Sequence, residues 1–184
     1  MKIGLRMITV TAVGIALFTA LSLCLQVPVF ENYYLCLGYV VMAVYCYSFG
    51  VFSGTAVGVL GVVAYCLLIS GLRGMPGWAL GNALIGVVLS LTFRRTKKMK
   101  RRGAAAALNA AAIVLSVSAG ILGLKSLTEC LLYAQPILVR VGKNVYAWAA
   151  DLFMLLVSLP ICMRLDRVVK KLFPRLLPEK AENE

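Results

Sequence analysis

The stretch NYYLCLGYVVMAVYCYSFGVFSGTAVGVLGVVAYCLLISGL, Asn32–Leu72, holds 41 residues without a charged side chain. As one helix rising about 1.5 Å per residue it would reach about 61 Å, roughly twice the hydrocarbon thickness of a bilayer. Such a run folds back as two helices, with the break either at Ser48-Phe49-Gly50 or at Ser53-Gly54. Working outward, Met7–Phe30 is charge-free over 24 residues, Gly74–Phe93 over 20 and Gly103–Leu124 over 22. Asn144–Met163 adds 20 residues in which Asp151 is the one charge. Each of these suits a single crossing. The expected fold is therefore all-α: one integral membrane bundle of six transmembrane helices over residues 1–184, with approximate spans 7–27, 34–49, 51–70, 77–93, 104–127 and 144–163.

Composition points the same way. Of the 184 residues 61% are hydrophobic and 14% charged, where soluble domains average about 45–50% and about 25%. Mean hydropathy is +0.91, more apolar surface than a soluble domain of this size can bury. The net charge of +12 would suit nucleic acid if it covered a polar face. It lies instead in blocks outside the apolar runs, so no nucleic-acid partner is expected. The chain has no histidine, which excludes His-based triads, HExxH zinc sites and bis-His haem. Gly142-Lys143 is followed by Asn144, so there is no GxxxxGK[ST] phosphate loop. Cys24, Cys36, Cys46, Cys66, Cys130 and Cys162 form no CxxC pair and read as small hydrophobes. No catalytic residue, metal site or cofactor is assigned. Met1–Gln26 carries Lys2 and Arg6 ahead of its apolar stretch, as a signal peptide would. The stretch is longer than a signal core and its small residues are dispersed, so a retained helix is expected.

Basic residues orient the bundle. Arg94–Arg102 has seven lysines and arginines in nine positions. With Lys2, Arg6 and six more between Arg164 and Lys180, one side carries fifteen. Arg73, Lys125, Arg140 and Lys143 make four on the other. The chain is expected in the cell membrane as a multi-pass protein, with both termini, the basic loop 94–102 and the tail 164–184 in the cytoplasm. The basic loop is read as a topology anchor that meets anionic lipid.

Small residues recur at spacing four: Ala12, Ala16 and Ala20 on the first helix, Gly50, Gly54 and Gly58 on the third, Gly77 and Gly81 on the fourth. Such faces allow close helix approach in lipid. The alanine stripe is open to two readings, packing within the chain or contact with another subunit.

Polar residues inside a membrane are costly and mark functional sites. Here they gather towards the outer ends. Asn144, Trp148 and Asp151 share one helix face, Trp78 and Asn82 another, and Lys125 and Glu129 stand one turn apart. The first outer loop brings Asn32, Tyr33 and Tyr34. Amides, charges and rings at one depth suit a small, polar, flat ligand. The aromatic residues also fit an interfacial belt, and Lys125–Glu129 also fits a solvated pair. Asp151 needs a partner or a cavity, and Asn82, Lys125 and Lys143 are the candidates. CLLYAQPILV, Cys130–Val139, is too short to span and reads as a helix end followed by a capping loop.

The stretches YLCLGYVVMAVYCYSFGVFSGTAVGVLG and GMPGWALGNALIG, with AxxxA on the first helix and six helices in under two hundred residues, resemble the S components of energy-coupling factor (ECF) transporters. The likeness covers about the first hundred residues closely and the remainder by topology. It implies a membrane subunit that binds a vitamin or related micronutrient from outside, without ATPase activity of its own. The pocket would involve the first outer loop and the outer halves of the fourth to sixth helices. Its partners would be a transmembrane coupling subunit, met through Ala12, Ala16 and Ala20, and two ATP-binding subunits. The alternative is a small structural or assembly membrane protein without a small-molecule ligand. An enzyme is not expected.

Overall fold

The computed structural model describes residues 5–24, 27–30, 33–69, 71–72 and 74–172. Among them are six helices: α1 Leu5–Cys24, α2 Gly38–Ser48, α3 Val51–Leu68, α4 Met75–Thr96, α5 Arg102–Tyr133 and α6 Ile137–Leu172. Five are long and apolar enough to cross a membrane, and the chain is a multi-pass membrane protein.

The second helix is the short one. It has 11 residues, about 16 Å of rise. The residues before it are used differently: β1 Val27–Phe30 and β2 Tyr33–Leu35 pair antiparallel, with Val27 opposite Leu35. The segment expected as the first outer loop therefore carries a small hairpin, and the expected span 34–49 holds a helix over Gly38–Ser48 only. The break between α2 and α3 falls at the first of the two expected places. Gly50 has φ 87°, a conformation that costs an L side chain about 1–2 kcal/mol and glycine nothing.

In lipid, helices gain little from hiding apolar surface, and close packing holds them together. The glycine faces do this here. A Cβ at Gly54 would stand 2.7 Å from the Cys46 Cα, so α2 and α3 approach backbone to backbone. Phe18, Tyr39, Met42, Val57, Ile85, Leu89 and Phe93 fill the centre between α1, α2, α3 and α4. On α1 the inward face is Thr11, Gly14, Phe18 and Ser22, and the opposite positions Ala12, Ala16 and Ala20 are exposed.

At the end that carries the basic loop, Lys97 ties three helices. Its Nζ donates to the Tyr47 carbonyl at 2.6 Å and to Asp166 Oδ1 at 2.9 Å, and sits 4.1 Å from the Tyr47 ring centroid. A cation on the last carbonyls of α2 also complements that helix's dipole. Asp166 belongs to α6, which continues to Leu172 past the expected start of the tail. At the opposite end, α5 runs to Tyr133, Ala134 turns the chain in the left-handed region (φ 50°), and α6 begins at Ile137. The connection is thus shorter than the loop expected from Cys130–Val139.

Candidate functional site

A cavity of about 220 Å³ lies between α1, α3, α4, α5 and α6 near the hairpin. Ser22, Leu35, Cys36 and Tyr65 form one part of its wall. Trp78, Lys125, Ala147 and Asp151 form another, and Ile69, Gly71 and Gly74 place its rim at the α3–α4 turn, away from the basic loop.

Below the cavity the polar side chains converge on Tyr39 of α2. Its hydroxyl lies 2.8 Å from Asn82 Oδ1 and 2.9 Å from Asp151 Oδ2. The Trp78 indole N–H donates to it at 2.8 Å. Asn82 in turn donates its amide to the Gly58 carbonyl at 3.2 Å, which a close-packed glycine face leaves accessible. Four helices meet in this network: α2, α3, α4 and α6. Tyr39 and Asn82 are fully buried and Asp151 is 4% exposed. Buried polar groups of this kind rigidify a site when each has a partner. Trp78 is held a second time, edge-on to Tyr65 with centroids 5.7 Å apart.

A second polar group lies on α5 and α6. Asn144 donates to Ser126 Oγ at 2.9 Å and to Glu129 Oε2 at 3.1 Å. Glu129 also has Arg140 at 3.7 Å and Lys125 at 4.0 Å. Lys125 and Glu129 are buried, at 8% and 4% exposure, rather than a solvated pair. Trp148 donates its N–H to Ser118 Oγ at 3.0 Å.

The local backbone explains why a lysine stands here. Ser118–Lys125 is a π-helical stretch inside α5. Its wider i→i+5 turn shifts the register of the rest of the helix, and such segments recur at functional sites. Gly77 and Gly81 seat it: a Cβ at Gly81 would be 2.8 Å from the Gly120 carbonyl oxygen, and one at Gly77 3.0 Å from that of Lys125.

Of the residues expected at the site, Trp78, Asn82 and Asp151 meet through Tyr39, and Trp78, Lys125 and Asp151 line the cavity. Glu129, Asn144 and Trp148 are not among the residues that line it; Asn144 is bonded to Glu129 and Trp148 to Ser118 of α5. Lys143 is exposed and is not the partner of Asp151. Asn32 lies outside the described residues; Tyr33 and Tyr34 fall on β2, and their side chains are outside the described ones. Sequence reasoning passed over Tyr39, Tyr65, Ser22, Cys36 and Cys66. Tyr39 did carry a signal: a phenol in the middle of an apolar run needs a hydrogen-bond partner. Among the described residues no cluster of His, Cys, Asp or Glu could hold a metal ion.

In comparisons with known proteins, the model of a family described as ECF-type riboflavin transporter, S component, matches residues 2–167. No curated protein matches the chain.

Proposed function

This chain belongs to the family of ECF-type riboflavin transporter S components, and from that membership we propose that it captures a vitamin or related micronutrient in the cavity beside Asp151 and passes it inward. It is a substrate-binding subunit of a transporter and not an enzyme. The family match over residues 2–167 carries the proposal, and the cavity supports it with a network in which four helices hold Trp78 and Asp151 in fixed positions.

Capture takes place from the side opposite the basic loop, where the rim of the cavity lies. The Lys97–Asp166 tie keeps the other end closed while the solute binds. Energy comes from outside the chain: a transmembrane coupling subunit and two ATP-binding subunits work with it. The exposure of Ala12, Ala16 and Ala20 supports a coupling surface on α1, because small side chains let a partner helix approach closely.

Mass spectrometry of solutes that co-purify with the detergent-solubilised chain tests the proposal, together with saturable rebinding of whatever is found. The expected result is one small solute, bound at one site and displaced by itself. A chain that carries none and binds none is a structural protein, and the proposal fails.

A further inference from the structure

The geometry points to a binding site for an anionic phospholipid of the adjoining leaflet on the α4–α5 turn, held by Arg95, Lys98, Lys100, Arg101 and Arg102. It does not depend on the solute site, which lies at the other end of the bundle. A topology anchor needs only a number of cations; this turn also fixes where they stand. Helix α4 ends at Thr96 and α5 starts at Arg102. The Thr96 hydroxyl donates to Asn109 Oδ1 at 2.9 Å, a buried bond that clamps the end of α4 to α5. Phe93, fully buried, stands edge-on to Tyr47 with centroids 5.2 Å apart. Between the helices, the Lys98 N–H donates to the Arg95 carbonyl and the Met99 N–H to that of Thr96. Ordered backbone thus presents the cations, and a ligand that meets them orders little more than side chains.

The protein gives these cations no counter-charge. The described residues include three acids, Glu129, Asp151 and Asp166. Glu129 and Asp151 belong to the polar groups at the cavity end, and Lys97 takes Asp166 at 2.9 Å. Arg95, Lys98, Lys100, Arg101 and Arg102 are exposed and, among the described residues, have no ion pair. Glu179, Glu182 and Glu184 lie outside the described residues, so the test keeps the tail in place.

Five such cations within eight positions repel one another, and a phosphate among them relieves that repulsion. The guanidinium forks of Arg95, Arg101 and Arg102 can each donate two N–H bonds to phosphate oxygens. What stands beside the cations decides the rest of the ligand. Leu91, 48% exposed, is one turn from Arg95 on the bilayer side of α4. Leu108, 44% exposed, is two turns from Arg101 on the bilayer side of α5. A ligand that meets a cation and the leucine below it is anionic at one end and apolar along its length. A soluble acid or an acidic protein surface offers the first property and not the second. Phosphatidylcholine brings its own cation beside the phosphate and fits less well.

The full chain is incubated in detergent with equal concentrations of phosphatidylglycerol and phosphatidylcholine of the same acyl chains. The lipid it retains is counted by native mass spectrometry. Phosphatidylglycerol is expected to be retained over phosphatidylcholine by about tenfold or more. Arg101→Gln with Arg102→Gln is expected to remove most of that preference, and Arg95→Gln reads the same site from α4. The control is Arg164→Gln with Lys171→Gln, which removes the same charge from α6. These two residues are exposed and stand two and five positions from Asp166, on other faces of α6 than the one that meets Lys97. The control is expected to keep the preference. Unchanged melting temperatures without added lipid check the folding of each variant. Equal loss in the turn variant and the control means a diffuse charge field and overturns the site. Absence of any preference in the full chain overturns it too. So does glycerol 3-phosphate displacing phosphatidylglycerol at equal concentration, because the turn then takes free phosphate rather than lipid.

Discussion

Tyr39 has one hydroxyl hydrogen and two oxygens within reach of it. Trp78 donates to its oxygen, and Asn82 is oriented by its own donation to Gly58, so the Asn82 oxygen faces Tyr39. With that hydrogen given to Asn82, the 2.9 Å contact to Asp151 has none of its own. An amide at position 151 would supply it. Asp151→Asn is therefore expected to keep or raise the melting temperature in detergent while solute affinity falls. A lower melting temperature would mean that the carboxylate is held by more than Tyr39. Tyr39→Phe should do the opposite to the fold. It strands the Trp78 N–H and the Asn82 oxygen, at a cost of about 1–3 kcal/mol each where no water replaces the hydroxyl, and thermal unfolding should show the loss.

The π-helical stretch in α5 and the turn after it set where the charged groups stand. Gly81→Ala would press a methyl group to 2.8 Å from the Gly120 carbonyl, with backbone on both sides. Helices α4 and α5 must then separate and carry Lys125 with them. The expected outcome is a lower melting temperature together with weaker solute binding. Gly123→Ala is the control: it lies in the same π-helical stretch, and a Cβ there meets nothing within 4 Å, so both properties should be unchanged. If the two variants behave alike, the close approach of α4 to the stretch is not what positions Lys125. At the α5–α6 turn, Ala134 occupies the left-handed region. Ala134→Gly relieves that strain, about 1–2 kcal/mol, against a loss of about 0.4–1 kcal/mol from the freer unfolded chain. A modest rise in melting temperature is expected, and a fall would show that the turn is not strained.

At the scale of the molecule, two surfaces decide how the chain works. The basic loop predicts which end faces the cytoplasm. A cysteine at the exposed position Lys100 should resist labelling by a membrane-impermeant reagent in intact cells and react after lysis. Labelling in intact cells would invert the bundle and put the cavity rim inside. The alanine stripe of α1 predicts a separation of binding from uptake. It is exposed and faces away from the core, so Ala16→Trp should leave solute binding by the isolated chain intact and abolish uptake with its partners. Loss of both would mean that α1 packs against the bundle through this face. Normal uptake would remove the stripe as a coupling surface.

Much of this protein was legible in the sequence because lipid imposes a one-dimensional rule. An apolar run must be long enough to cross and must satisfy its own backbone, so run lengths gave the six helices and the glycine-marked fold-back at Gly50. A lone carboxylate in such a run must face inward, so Asp151 stood out, and the i, i+4 spacing aligned Trp78 with Asn82. Such runs do not encode contact between distant positions. Tyr39 and Asp151 are 112 residues apart and meet only when α2 and α6 share a core. The hairpin that shortens α2 and the π turn that buries Lys125 depend on neighbours, because pairing between strands and the seat that Gly77 and Gly81 provide form only in the assembled bundle. Size and polarity of the cavity belong to the same class: they are properties of the space between helices, and no single helix contains them.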